Sequence, residues 1–343
     1  MRGEQLTFKI TDYVERDLVW EEDQCRQLGL RFEYYQLRDA PAEELVCHVK
    51  DADIILVNMA RFSREVMAGL EKTKVIIRHG IGYDNVDVEA ATEYGIILAN
   101  ERTASSEDVA EHAVLLMLET YKKRKIQAEI LRDWIQTGQW SSEKIAPLYR
   151  LSGKTVGIIG CGNIGSRVFK KLQGFGVKTL VCDPYLAAER FRELGTSHTP
   201  FDEVLAQADL ITIHVPVTDE TRGMFNLKKF ALMKTSAIVV NTSRGPVIKT
   251  EDLIEALKRR MIAGAGLDVF EKEPPPPDSE LLSMDNVILS PHIAWYSEEG
   301  GWDIRFMIMD DVKACLEGRL PRHVVNKEVL ARPNLRFKLQ PNP

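Results

Sequence analysis

Cysteine is scarce and unpatterned in this sequence. Cys25, Cys47, Cys161, Cys182 and Cys315 are scattered and odd in number. They form neither a CxxC pair nor a Cys/His cluster, so no zinc or other metal site and no disulfide framework is indicated. Reduced thiols suit a cytoplasmic protein. Long apolar runs are also missing. The N-terminus MRGEQLTFKITDYVERD has no apolar core of the signal-peptide kind. No stretch approaches the ~18–20 residues that span a bilayer, so no membrane association is expected. Nor is there an excess of positive charge: 45 Lys+Arg against 51 Asp+Glu leave a net charge of −6. That balance disfavours nucleic acid as a partner. The one basic cluster, Lys122–Lys125, follows an apolar helical run and reads as a solvated helix end. No repeat at a solenoid period is found.

At 343 residues the chain exceeds what one hydrophobic core usually supports, so two domains are expected. In the first hundred residues, short apolar runs (Phe8–Ile10, Asp53–Asn58, Val75–Arg78, Ile96–Leu98) alternate with helical stretches such as Val14–Gly29 and Arg64–Leu70. This alternation indicates a parallel sheet with helices on its faces. A long apolar helix is expected from Ser106, buried or packed between domains. A second, clearer unit begins near Leu151. Its strands are Thr155–Ile159, Thr179–Cys182, Leu210–His214, Ala237–Asn241, Gly264–Leu267 and Val287–Leu289, a spacing that suits a doubly wound nucleotide-binding domain. The Pro274–Pro277 run reads as an extended linker. A helix over Ser297–Glu317 is expected to rejoin the first domain, and the tail Arg332–Pro343 to be loosely ordered.

Gly160-Cys161-Gly162-Asn163-Ile164-Gly165 is a full GxGxxG between the strand TVGII and the helix SRVFKKLQGFG. Gly160 permits the tight turn, Gly162 lets backbone approach a pyrophosphate, and Gly165 allows close helix–strand packing. The helix N-terminus offers N–H groups to the phosphates. Asp183 ends the second strand 18 residues later, near where a carboxylate accepts from the adenosine ribose. A carboxylate there repels a 2′-phosphate, which selects NAD over NADP. The competing reading of Asp183 is a turn aspartate of an Asp-Pro pair.

Hydride chemistry on a hydroxy acid needs a cation for the substrate carboxylate, an acid/base near neutral pH, and a carboxylate to hold that base. Arginine, histidine and a buried acid suit these tasks. Arg244 follows the strand AIVVN, Glu273 lies in the loop after GAGL, and His292 follows VIL. All three sit past carboxyl ends of strands, where open α/β sheets place ligands. Singly, each has an ordinary structural alternative: a surface ion pair, a loop charge, a core histidine.

RHGIGYDNVD (78–87), GIIGCGNIGSR (157–167), HVPVTDETRGMFN (214–226), VVNTSRGPVI (239–248), GAGLDVFEKEPP (264–275) and SPHIAW (290–295) together resemble the D-2-hydroxyacid dehydrogenase family. They run in family order and cover about residues 50–326. Within it, AWYSEE (294–299) and GRLPRHVVNKEVL (318–330) look most like the C-terminal binding protein branch, which includes transcriptional corepressors.

The resemblance implies two doubly wound parallel-sheet domains with a cleft between them. One is a flavodoxin-like substrate domain, 1–102 plus 296–331; the other is a Rossmann NAD-binding domain, 103–295. It implies interconversion of a small 2-keto acid and its D-2-hydroxy acid. His292 would be the acid/base, Glu273 its partner, and Arg244 the substrate clamp. Asp268 and His292 would sit near the nicotinamide, with Thr242 and Ser243 along the same wall. Val215 and Pro216 would flank the adenine, with Thr221 near the phosphates. The backbone of Gly80, Ile81 and Gly82 would meet the substrate carboxylate. Trp295 reads equally as a pocket edge and as a core aromatic. Arg78 and His79 adjoin that loop without an assigned role. A homodimer is expected, resting on the apolar helix 106–121. The alternatives are an NADH-sensing, corepressor-like interaction protein on the same fold, and 3-phosphoglycerate dehydrogenase.

Overall fold

The computed structural model describes residues 5–339. The chain divides into two compact units, residues 1–105 with 297–343, and residues 106–296.

The first unit carries β1 (Thr7–Ile10), β2 (Arg31–Tyr34), β3 (Ile54–Val57), β4 (Val75–Arg78) and β5 (Ile97–Asn100). All pair in parallel in the order β2-β1-β3-β4-β5, the flavodoxin-like winding. Successive residues face opposite layers. Ile54 and Leu56 join Phe8, Ile10 and the C-terminal helix Glu298–Leu316 in one core. Ile55 and Val57 join the helices Ala42–Val49 and Arg64–Ala68 in the other. Asn326 closes the β5 edge: fully buried, it accepts from Leu98 N and donates to Thr92 Oγ1 and the Ile96 carbonyl.

The second unit carries β6 (Thr155–Ile159), β7 (Lys178–Cys182), β8 (Leu210–Ile213), β9 (Ile238–Asn241), β10 (Gly264–Leu267) and β11 (Val287–Leu289). They form one parallel sheet in the order β11-β10-β9-β8-β6-β7. A lone parallel bridge, Val181 to His198, continues beyond β7. Counted as a residual third strand, it restores the 3-2-1-4-5-6 winding of a Rossmann sheet, extended by β11. The order reverses between β6 and β8, and a ligand crevice belongs at their carboxyl ends.

The same device starts both sheets. Asp53 follows Ala52 ahead of β3; its carboxylate accepts from Thr7 N at 2.9 Å and Lys74 Nζ at 2.8 Å. Asp209 follows Ala208 ahead of β8 and accepts from Thr155 N at 2.9 Å and Lys234 Nζ at 3.1 Å. Each carboxylate ties the start of one flanking strand to a lysine ahead of the other.

Four expectations change. The first helix is Val19–Gln27, not Val14–Gly29. The preceding segment is held as a loop, with Asp12 accepting from the N–H groups of Asn58, Met59 and Ala60 and Glu15 paired to His79. β2 escaped notice because its residues are exposed or half-buried. Lys122–Lys125 is not a solvated end: Lys122, Lys123 and Lys125 donate to the carbonyls of Tyr149, Ile145 and Met284. The tail is packed as far as Phe337, which lies in the core, with Arg336 donating to the Leu70 carbonyl. Gln340–Pro343 lie outside the described residues.

Replacing either strand-starting aspartate leaves a strand N–H and an ammonium without their partner. Asp53→Ala and Asp209→Ala should each cost about 1–3 kcal/mol in denaturant unfolding. Losses under about 0.5 kcal/mol would show that the device is not structural.

Candidate active site

The three glycines between β6 and the helix Asn163–Leu172 have three different surroundings. Gly160 has φ +86°, and a Cβ there would lie 2.7 Å from the His214 carbonyl and 2.8 Å from Val215 Cγ1. Gly165 would meet the Gly160 carbonyl at 2.1 Å. Gly162 caps the helix with nothing within 4 Å of its would-be Cβ. Gly160 and Gly165 are thus required by packing, whereas Gly162 faces open space at the N-terminus of the helix Asn163–Leu172, an arrangement that suits a phosphate group.

Asp183 ends β7. Its carboxylate accepts from Cys161 N at 2.8 Å and from Tyr185 N at 3.0 Å. The turn reading and the position beside the glycine loop are both realised. On the other side of β6, Val215 and Pro216 begin the loop after β8, and Thr221 Oγ1 donates to the Pro216 carbonyl at 2.6 Å, fixing that loop's curl. His214 is half-buried; burial of its ring pushes its pKa down to about 3, and its Nε2 pairs with Thr212 Oγ1 at 2.9 Å.

Past β9, Ser243 N and Oγ both donate to Asn241 Oδ1, and Asn241 Nδ2 donates to the Arg244 carbonyl. Thr242 Oγ1 is buried and has no hydrogen-bond partner among the described residues. Gly245 explains why the next residue is small: a Cβ would fall 1.9 Å from the Phe270 carbonyl carbon. The loop carrying Arg244 therefore lies directly against the loop carrying Glu273.

Glu273 Oε1 accepts from Phe270 N at 3.0 Å, and its Oε2 lies 2.7 Å from His292 Nδ1. Burial alone would raise the Glu273 pKa, but the hydrogen bond and charge of His292, the Phe270 N–H and the Arg244 charge together hold it below the ordinary value. Arg244, Glu273 and His292 are thus one electrostatic cluster within one unit. His292 has φ +54°, in the left-handed region. Its N–H donates to the Asp268 carbonyl at 2.8 Å, and its own carbonyl accepts from Trp295 Nε1 at 3.1 Å. The half-buried Trp295 ring braces the histidine loop through its N–H. Asp268 is 1% exposed, and its carboxylate accepts from Ser290 Oγ, Ile293 N and Ala294 N.

In the first unit, Gly80 has φ +119°. The Gly80 and Ile81 carbonyls are tied from behind by Glu101 N at 3.1 Å and Asn100 Nδ2 at 2.6 Å. Gly82 completes this loop. Sequence reasoning left Arg78 and His79 unassigned, and the structure separates them. A Cβ on Gly80 would lie 2.1 Å from Arg78 Nη1, so that guanidinium lies against the loop. His79 is buried on Glu15 Oε1 at 2.7 Å.

The family model for the NAD-binding domain of D-isomer-specific 2-hydroxyacid dehydrogenases matches residues 114–294. The chain belongs to this family. It is 36% identical over 319 residues to a glyoxylate reductase of Pyrococcus furiosus, covering 91% of this chain and 89% of that protein. It is 38% identical over 285 residues to a D-3-phosphoglycerate dehydrogenase of Archaeoglobus fulgidus; the match covers 83% of this chain but only 53% of that protein, so the chain spans about half the length of that relative. Among solved structures, D-lactate dehydrogenase of Aquifex aeolicus, complexed with NAD and lactic acid, superposes with TM-score 0.82 at 30% identity, covering 93% of this chain and 99% of the other. These likenesses do not specifically support the C-terminal binding protein branch. The family domain binds NAD, and the open Gly162 cradle and the unpartnered Thr242 hydroxyl fit that cofactor.

Two substitutions separate cofactor binding from packing. Gly162→Ala should leave the melting temperature within about 2 °C while weakening NADH binding at least about 10-fold, because its Cβ enters only the ligand's space. Gly165→Ala should destabilise the fold by about 1–3 kcal/mol through its collision with the Gly160 carbonyl. Equal effects on both properties in both variants would contradict the assignment.

The Glu15–His79 pair gives a pH signature. Burial raises the Glu15 pKa, but the His79 hydrogen bond and charge outweigh it and bring it down to about 2. A depressed carboxyl stabilises the fold fully above its ordinary value of 4.5, and that stability is lost as pH falls toward 2. Glu15→Gln should be less stable than wild type at pH 6, with the difference closing by about pH 2. A pH-independent difference would show that the pair acts by packing alone.

Proposed function

We propose that this protein is an NAD-dependent oxidoreductase that interconverts a short 2-keto acid and its D-2-hydroxy acid. The observation that carries the proposal is the Glu273–His292 hydrogen bond of 2.7 Å clustered with Arg244 at the ends of three adjacent strands. With His292 Nδ1 turned to Glu273, Nε2 is the nitrogen that exchanges the proton with substrate. The Glu273 carboxylate stabilises the imidazolium through that bond. Arg244 binds the substrate carboxylate and polarises the carbonyl, a bidentate task for a planar guanidinium. Bound NADH supplies the hydride. Asp183 selects NAD by repelling a 2′-phosphate. Gly80–Gly82 serves as a backbone anion cradle of the first unit. Trp295 contributes an aromatic wall.

A phosphorylated hydroxy acid such as 3-phosphoglycerate is the second reading. The likeness to D-3-phosphoglycerate dehydrogenases, 38% identical over 285 residues for that of Archaeoglobus fulgidus, favours it.

The partner we propose is a second copy of the chain, joined at a surface other than the expected one. The helix Ser106–Tyr121 spends most of its apolar face on its own sheet, with Ala110, Ala113, Leu116 and Met117 in the core. The helix Arg124–Thr137, by contrast, has no buried residue. Trp134, Ile135, Trp140 and Tyr149, on and just past it, are large apolar groups exposed to solvent. Such a patch marks an interface, and a two-fold dimer is the commonest closed solution.

A panel of 2-keto acids of two to six carbons, with 3-phosphohydroxypyruvate added, should show NADH oxidation. His292→Ala should reduce turnover at least about 100-fold with NADH affinity kept. Tight NADH binding without turnover of any panel member would overturn the enzyme reading in favour of a cofactor-sensing protein. Light scattering should give a dimer, and Ile135→Asp with Trp140→Asp a monomer. A monomeric wild type would refute the interface.

A further inference from the structure

The helix Ser106–Tyr121 lies directly on β10. A Cβ at Gly264 would come within 3.2 Å of Thr120 Cγ2, and one at Gly266 within 2.8 Å of Thr120 Oγ1 and 3.2 Å of Leu116 Cβ. The two glycines of GAGL are therefore the recess into which the helix fits, and the helix runs antiparallel to the strand. Thr120, Leu116 and His112 are four residues apart, about 6 Å per step along a helix. Gly264, Gly266 and Asp268 are two apart, about 6.6 Å per step along a strand. Because the steps nearly match, the next contact in the series brings His112 to Asp268.

The contact is there. His112 Nε2 lies 3.6 Å from Asp268 Oδ1. Ser290 Oγ sits between them, 2.9 Å from His112 Nε2 and 2.6 Å from Asp268 Oδ1. The single serine proton goes to the carboxylate, so the His112 Nε2–H donates to the serine oxygen. The carboxylate in turn accepts from Ile293 N and Ala294 N, both at 3.0 Å, while the Asp268 carbonyl accepts from His292 N at 2.8 Å. These bonds bracket a histidine whose φ of +54° is a conformation that persists only where its surroundings fix it.

We propose that His112, Ser290 and Asp268 form a positioning relay that holds His292 in its left-handed backbone conformation and so aims its ring. The relay rests on the reading of His292 as the acid/base, and it gives Asp268 a task besides lining the cofactor site. None of the three exchanges a proton with substrate. Each acts through the backbone of the histidine loop.

The test compares Ser290→Ala, Ser290→Thr, His112→Phe, His112→Gln and Asp268→Asn in the full chain, with thermal melts to verify folding. Turnover and NADH dissociation constants are measured alongside the side-chain nitrogen NMR signals of His292. Ser290→Ala and His112→Phe should lower kcat about 10-fold with the NADH dissociation constant within about 2-fold. Ser290→Thr and His112→Gln, which keep a hydroxyl and a donor, should recover most of it. Asp268→Asn should cost at least about 100-fold, in line with the sensitivity of such steps to ~1 Å misplacement. The His292 ring signals of Ser290→Ala should shift without substrate present. Unchanged kcat in folded Ser290→Ala and His112→Phe, or NADH affinity lost in step with kcat, overturns the relay. If wild type reduces no keto acid, the proposed activity fails, and the NMR comparison still decides the relay: unmoved His292 signals refute it. If Asp268→Asn does not fold, Ser290→Ala decides.

Discussion

The catalytic reading of the second unit depends on one hydrogen bond, from His292 Nδ1 to Glu273 Oε2 at 2.7 Å. Neither residue is near the other in sequence, and both lie on loops. The sheet solves the problem by pairing β9, β10 and β11 side by side, so that the residues after each strand emerge together. Gly245 then lets the Arg244 loop touch the Glu273 loop at Phe270. A side chain at position 245 would push these loops apart, so the glycine of SRGP is as much part of the charge cluster as the charges are.

The cofactor end obeys a similar economy. Gly160 is small because the His214 carbonyl and Val215 are too close for anything larger, Gly165 because the Gly160 carbonyl is, and Gly162 is small where nothing approaches within 4 Å. A packing requirement and a binding requirement thus alternate within six residues. Asp183 reaches back to Cys161 N, so the residue assigned to the adenosine ribose also fastens the loop meant for the phosphates. In the proposed reading, ligand discrimination and loop geometry share one carboxylate.

How much of this could be read in advance follows from burial. β6, β8, β9 and β10 are covered on both faces, so their apolar runs stand out in the sequence. β2 is an exposed edge with mixed residues and does not. The GxGxxG and the strand-end polar residues were legible because local order fixes them. The relay of His112, Ser290 and Asp268 was not, since it joins residues 112, 268 and 290 through a helix-on-strand register that only the packed structure reveals. The GAGL glycines were its one advance sign. The surface proposed for the dimer was illegible for a related reason. Most of the apolar face of the helix 106–121 lies on its own sheet, while the exposed aromatic groups past Arg124 are spread over a helix and a loop and give no simple period.

The most direct measurement is isotope transfer. NADH carrying deuterium at the transferred position of its nicotinamide C4 is incubated with the short 2-keto acid that is turned over fastest, and the product is analysed for label and handedness. Direct hydride transfer, with a proton delivered through His292 to oxygen, places one deuterium at C2 of the D-hydroxy acid and none elsewhere. An L product, deuterium lost to solvent, or no transfer to any 2-keto acid would contradict the account.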